Sequence, residues 1–176
     1  MKFAEAQIPG VWVIDPIRLD DERGFFARTF EADRFAELGL DTSVLQCSVS
    51  YNIRAGTLRG VHYQVTPHGE SKLIRCTRGA IYDVLLDLRP ESPAYCRWVA
   101  IELSAENGRS VFAPAGVAHG FQTLADATEV YYQMSQPFVP EAAQGVRWDD
   151  PTFAIDWPPA ERIISDRDRS YQDFTP

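Results

Sequence analysis

The chain is broken into short β-rich runs, and this punctuation restricts it to layered all-β architectures more than any other feature does. The runs are GVWVI at 10–14, RGFFARTF at 23–30, KLIRC at 72–76, AIYDVLLDL at 80–88, CRWVAIEL at 96–103, RSVFAP at 109–114 and EVYYQM at 129–134. They are rich in β-branched and aromatic residues, which suit a pleated, half-buried surface. Between them stand Arg78-Gly79 and Asn107-Gly108, turn signals of hairpin type because such turns need positive φ. Strands and turns at this spacing predict a sandwich or barrel. Only EADRFAELGL at 31–40 has helical spacing, through Ala32, Phe35, Ala36 and Leu38, with Gly39 placed to end it. From about Pro137 onward the chain is rich in proline and aspartate, which predicts loops and short turns wrapped over the strands. One domain spanning 1–176 follows, and a hydrophobic content of 45% is enough to give it a core.

Charge narrows the partners. A net charge of −8 gives a long-range field of the wrong sign for nucleic acid or an anionic lipid surface, so an anionic ligand must be held by local arginines and lysines. The longest apolar runs, such as Val84-Leu85-Leu86, are far too short to cross a membrane, and MKFAEAQIPG lacks the apolar stretch of a signal peptide. Cys47, Cys76 and Cys96 are odd in number and scattered, which suggests neither a disulfide framework nor a zinc site. A reducing cytoplasm is the expected setting.

Two of the three histidines sit in dense glycine and polar contexts: His62 in GTLRGVHYQ (56–64) and His119 in PAGVAHGF (114–121). Imidazole titrates near neutrality and is the natural general base there. Glu70, Lys72 and Arg75 follow His62 closely, and Arg59 is wedged between Leu58 and Gly60, so a base and cations for an oxyanion or phosphate could share one face. Tyr131 and Tyr132 are adjacent on a β pattern, so only one can face the interior; such a phenol serves either packing or acid catalysis. PAGVAH also fits the second half of a cupin metal motif. The first half is incomplete, however, because Gln64 occupies the position of its second histidine, leaving only His62, Glu70 and His119. His68, in Pro67-His68-Gly69, reads as an exposed loop histidine.

Taken together, these segments resemble the dTDP-4-dehydrorhamnose 3,5-epimerase family. The resemblance runs through DERGFF (21–26), GTLRGVHYQ (56–64), KLIRCTRGAIYDVLLDLR (72–89), SPAY (92–95), PAGVAHGFQTL (114–124), VYYQ (130–133), VRWDDP (146–151), IDWP (155–158) and SDRD (165–168). It implies a cupin jelly roll with one or two short helices, no metal or other cofactor, and a homodimer that exchanges N-terminal strands. It also implies roles: His62 as proton-abstracting base, Asp168 as its carboxylate partner, Tyr132 as the acid on the opposite face and Lys72 as the cation beside the enolate. Arg23 and Arg59 become diphosphate contacts, His119 a further substrate contact, and Phe26, Arg28, Gln46 and Phe138 binding positions for a nucleotide-linked 4-keto-6-deoxy sugar.

The chain departs from the family where the nucleobase should sit, with Arg28 and Ala143 at positions usually glutamate and Phe138 at one usually tyrosine. The segment Gln46-Cys47-Ser48-Val49 and Gln133 differ as well. A different nucleotide, or a remodelled pocket for the same one, is the expectation, and epimerisation at C3, C5 or both stays open. A metal-dependent cupin isomerase or oxygenase and a non-catalytic sugar-binding module are the competing readings.

Overall fold

The computed structural model describes residues 1–175. Its strands are β1 (Lys2–Glu5), β2 (Trp12–Asp15), β3 (Arg18–Asp21), β4 (Gly24–Ala27), β5 (Gln46–Asn52), β6 (Thr57–Gln64), β7 (Lys72–Arg78), β8 (Ala80–Asp87), β9 (Trp98–Ser104), β10 (Ser110–Ala113), β11 (Val117–Thr123), β12 (Thr128–Met134), β13 (Ala143–Gly145) and β14 (Ile163–Ile164). Two short helices, α1 (Ala32–Ala36) and α2 (Asp166–Arg169), and a 3₁₀ turn at Pro140–Ala142 complete it.

The strands form two sheets, ordered β1-β2-β10-β7-β12-β5 and β13-β6-β11-β8-β9, with β14 lying parallel to β6. From β5 to β13 the chain changes sheet at every connection except the β8–β9 hairpin, which is the jelly-roll pattern. Arg78-Gly79 and Asn107-Gly108 do form turns with φ of +75° and +64° at glycine, yet they join strands of opposite sheets. They are sandwich corners and not the hairpins that their composition predicts.

Ile74, Leu85, Leu103, Val111, Phe121 and Val130 fill the space between the sheets. The outward side of β6, β8 and β11 is buried too, because Val146, Phe153, Ile155 and Trp157 of the C-terminal third lie on Leu58, Val61, Val84 and Leu86. That double burial explains the near-continuous apolar run of β8. α1 plugs Phe35 onto Ile14, Leu73 and Phe112 of the other sheet. It is shorter than the 31–40 segment because Gly39, at φ +71°, and Leu40 donate back to the carbonyls of Ala36 and Phe35. The segment 23–30 forms only the four-residue β4, paired with β3 in a separate hairpin that exposes Phe25 and Phe26.

Candidate active site

His62 and His119 are direct partners across the β6–β11 ladder, so their side chains point to the same face. Both line a cavity of about 620 Å³ with Arg59, Lys72, Tyr132 and Asp168, a volume suited to a small-molecule ligand. A register irregularity between His119 and Phe121 makes this arrangement possible. Ordinary alternation would place Arg59 and Val61 together, but Val61 packs with Leu58 in the outer core and Arg59 lines the cavity with His62. The crossing needs two bare backbones: a Cβ on Gly60, which has φ +129°, would lie 2.5 Å from the Cα of Gly120.

His62 Nε2 is 2.6 Å from Oδ1 of Asp168, and the Gly60 N–H donates to Oδ2 at 3.3 Å. Asp168 is buried at the start of α2, where its own N–H donates to the N-cap hydroxyl of Ser165. Burial pushes its carboxyl pKa up, but the bond and charge of His62, together with Gly60 and Ser165, outweigh burial and hold it below the ordinary range. With Nε2 held by a carboxylate, Nδ1 is the ring nitrogen left to take a proton.

A second imidazole–carboxylate pair stands beside the first. His119 Nε2 lies 2.6 Å from Asp83 Oδ1, and the imidazole meets the Tyr132 ring edge-on at 5.9 Å between centroids. Asp83 is fully buried and its Oδ2 has no hydrogen-bond partner among the described residues. Burial raises its pKa against the pull of His119 and Lys72. Burial also drives the Tyr132 phenol far above its ordinary pKa, with the Asp83 charge adding to it and Arg59 and Ser50 opposing, so it keeps its proton at neutral pH. Tyr131 points the other way, toward Cys47 and Arg75.

Lys72 Nζ is 2.8 Å from Oε1 of Glu70 and donates to the His62 carbonyl at 3.4 Å. Glu70 is in turn bonded by the Gln64 amide, whose oxygen accepts from Val139 N–H at 2.6 Å. The three possible metal ligands are therefore each engaged: His62 with Asp168, His119 with Asp83, Glu70 with Lys72 and Gln64. Among the described residues no group of three or more His, Cys, Asp or Glu side chains is arranged to hold a metal ion. Gly116 of PAGVAH, at φ +83°, instead makes room for Arg89, whose Cγ would be 2.6 Å from an added Cβ.

At the mouth, Phe138 and Ala143 line the cavity, and Phe138 N–H donates to Gln46 Oε1 at 2.8 Å. Gln46 thus supports the wall without lining it. Arg23 and Phe26 are not brought there; they stand exposed on the β3–β4 hairpin, Arg23 paired with Asp21. Arg28 is likewise away from the cavity, its Nη1 3.0 Å from Oε1 of Glu31. His68 is exposed, as its turn context predicts. Sequence reasoning missed Asp83, signalled only as a lone carboxylate inside an apolar strand, and Arg167, which lines the cavity beside Asp168. A wider groove of about 850 Å³, formed by 53–56, 122–126 and 158–163, contains neither imidazole pair.

The family model described as dTDP-4-dehydrorhamnose 3,5-epimerase matches residues 5–175. The chain belongs to the dTDP-4-dehydrorhamnose 3,5-epimerase family. A relative of that name from Sinorhizobium fredii is 40% identical over 171 residues, covering 97% of this chain and 88% of its own. The crystal structure of the Bacillus anthracis epimerase with TDP and PPi bound superposes with a TM-score of 0.95 at 39% identity, covering 98% of this chain and 99% of its own. A dTDP-4-dehydrorhamnose 3-epimerase from Streptomyces niveus is 37% identical over 170 residues, covering 96% of this chain and 82% of its own. This epimerase family member is accordingly an isomerase with a jelly-roll sandwich fold. No helix among its described residues is long and apolar enough to cross a membrane.

Proposed function

We propose that the protein epimerises a nucleotide-linked 4-keto-6-deoxyhexose at C3, C5 or both, without a metal or redox cofactor and in the cytoplasm. The observation that carries the reading is one cavity lined by a carboxylate-braced imidazole, a phenol that keeps its proton and an ammonium. A ketone at C4 acidifies the hydrogens on C3 and C5. His62 Nδ1 removes one of them, and Asp168 stabilises the imidazolium that forms. Lys72 faces the enolate oxygen and offsets its charge. Tyr132 then returns a proton to the opposite face of the same carbon, which inverts it.

Arg59 is the cation at the cavity wall for the diphosphate, and His119, held by Asp83, offers its free ring nitrogen to the sugar. Arg23 and Phe26 reach a site only in a homodimer whose N-terminal hairpins are exchanged. The exposed Leu19, Phe25 and Phe26 of that hairpin, and Val49 and Tyr51 of the open face of β5, support such an assembly. The mouth formed by Phe138 and Ala143 is the part that sets the nucleotide.

Turnover and affinity for one 4-keto sugar carried on dTDP, CDP and GDP test the substrate, with the product's configuration at C3 and C5 read by proton NMR. Turnover on CDP or GDP that matches or exceeds that on dTDP supports an altered nucleotide; a strong preference for dTDP removes that reading and leaves a remodelled pocket for dTDP. Stoichiometric iron, nickel or zinc that activity requires would return the metal-dependent reading. Tight binding without solvent exchange at either carbon would return the binding module.

A further inference from the structure

Asn52 closes β5 and is only 2% exposed, although most of its strand is open to solvent. Its Nδ2 donates to the Thr128 carbonyl of the paired β12 at 3.2 Å and to the Ser50 carbonyl at 3.3 Å. Turning the amide over would aim its oxygen at two carbonyl oxygens, so these bonds fix Oδ1 in one direction. Oδ1 accepts from Nε of Arg59 at 2.8 Å. That is the one guanidinium nitrogen of Arg59 with a protein partner among the described residues, and its Nη groups stay available at the cavity wall.

The acceptor is a neutral amide and not a carboxylate. Arg23, Arg28, Arg34, Arg89, Arg109 and Arg147 each pair with an aspartate or glutamate, whereas of the two arginines lining the cavity Arg167 donates to the Tyr171 hydroxyl and Arg59 to the Asn52 amide. Arg59 has no carboxylate partner among the described residues. In a chain of net charge −8, a guanidinium held in place by an amide keeps its full charge for an anion. We propose that Asn52 is a positioning residue that holds the Arg59 guanidinium, uncompensated, against the diphosphate of the substrate. The inference rests on the reading of Arg59 as a diphosphate contact.

Steady-state KM and kcat for the nucleotide-linked 4-keto sugar test it in four variants: Arg59→Ala, Asn52→Ala, Asn52→Ser and the double Arg59→Ala/Asn52→Ala. Asn52→Ser keeps a donor for the neighbouring carbonyls but is too short to reach Arg59, so it stays informative if Asn52→Ala folds poorly. Both Asn52 variants are expected to raise KM about tenfold with kcat within about twofold, the loss of one charge-assisted hydrogen bond from a binding contact. Arg59→Ala raises KM at least as much, and adding Asn52→Ala to it changes KM less than about twofold. If Arg59→Ala leaves KM unchanged, the diphosphate reading of Arg59 falls. If Arg59→Ala raises KM while neither Asn52 variant does, or the two effects simply add, Asn52 is no positioning residue.

Discussion

At the scale of single residues, Asp168 and Tyr132 carry opposite perturbations, and each follows from its surroundings. Asp168 is held ionised against burial by His62, Gly60 and Ser165. Because its folded pKa lies below the ordinary value of 3.8, its contribution to stability is full above that value and is lost as pH falls from there through the lowered folded value. The melting temperature of the wild type should therefore drop more steeply below about pH 4 than that of Asp168→Asn, which has no carboxylate to protonate. At neutral pH Asp168→Asn should lower kcat about 10²-fold or more, since an amide neither stabilises the imidazolium nor secures the tautomer. The Tyr132 phenol, raised by burial and by Asp83, keeps its proton, which in the proposed reaction completes the inversion. Tyr132→Phe should still wash solvent deuterium into the substrate through His62, while inversion falls about 10²-fold or more because the proton returns to the face it left. Proton NMR of the sugar in D₂O separates these two rates.

At the scale of elements, the crossing of β6 over β11 decides which residues share the cavity. Gly60 and Gly120 let the strands approach closely, and the shift in parity there puts Arg59 and His62, three apart, on one face. Gly60→Ala should cost about 2 kcal/mol or more in a denaturant titration, because a Cβ meets backbone that cannot move aside and positive φ adds strain. An unchanged midpoint would show that the crossing tolerates bulk. This crossing was not legible in the sequence, since alternation assigns Arg59 to the wrong side. β7, β8, β9, β10 and β12 were legible because both faces of a layered core demand β-branched and aromatic side chains there. β5, β6 and β11 were missed as strands for the opposite reason: Ser48, Ser50, Arg59, His62 and His119 turn polar groups inward to the cavity and erase the apolar signature. The motifs identified His62, Lys72, Tyr132 and Asp168 through resemblance. Asp83 and Asn52, which hold His119 and Arg59 from behind, had no local pattern to reveal them.

At the scale of the whole molecule, the sandwich supplies a cavity while its N-terminal hairpin projects Arg23, Phe25 and Phe26 into solvent. If the hairpin serves the partner's cavity, chains carrying His62→Ala and Arg23→Glu should complement each other. A mixed dimer then holds one site with both His62 and an intact Arg23, and with half of all dimers mixed about a quarter of wild-type activity returns. Recovery near zero would mean that each chain uses its own hairpin, and wild-type activity of Arg23→Glu alone would mean that the hairpin serves neither site. Beneath these questions lies the claim that His62 abstracts a proton from carbon beside a ketone. Its most direct test is to incubate a nucleotide-linked 4-keto-6-deoxy sugar in D₂O with the wild type and with folded His62→Ala, following the C3 and C5 proton signals. The wild type should exchange at one or both carbons and His62→Ala at neither; exchange by His62→Ala at the wild-type rate would contradict the account.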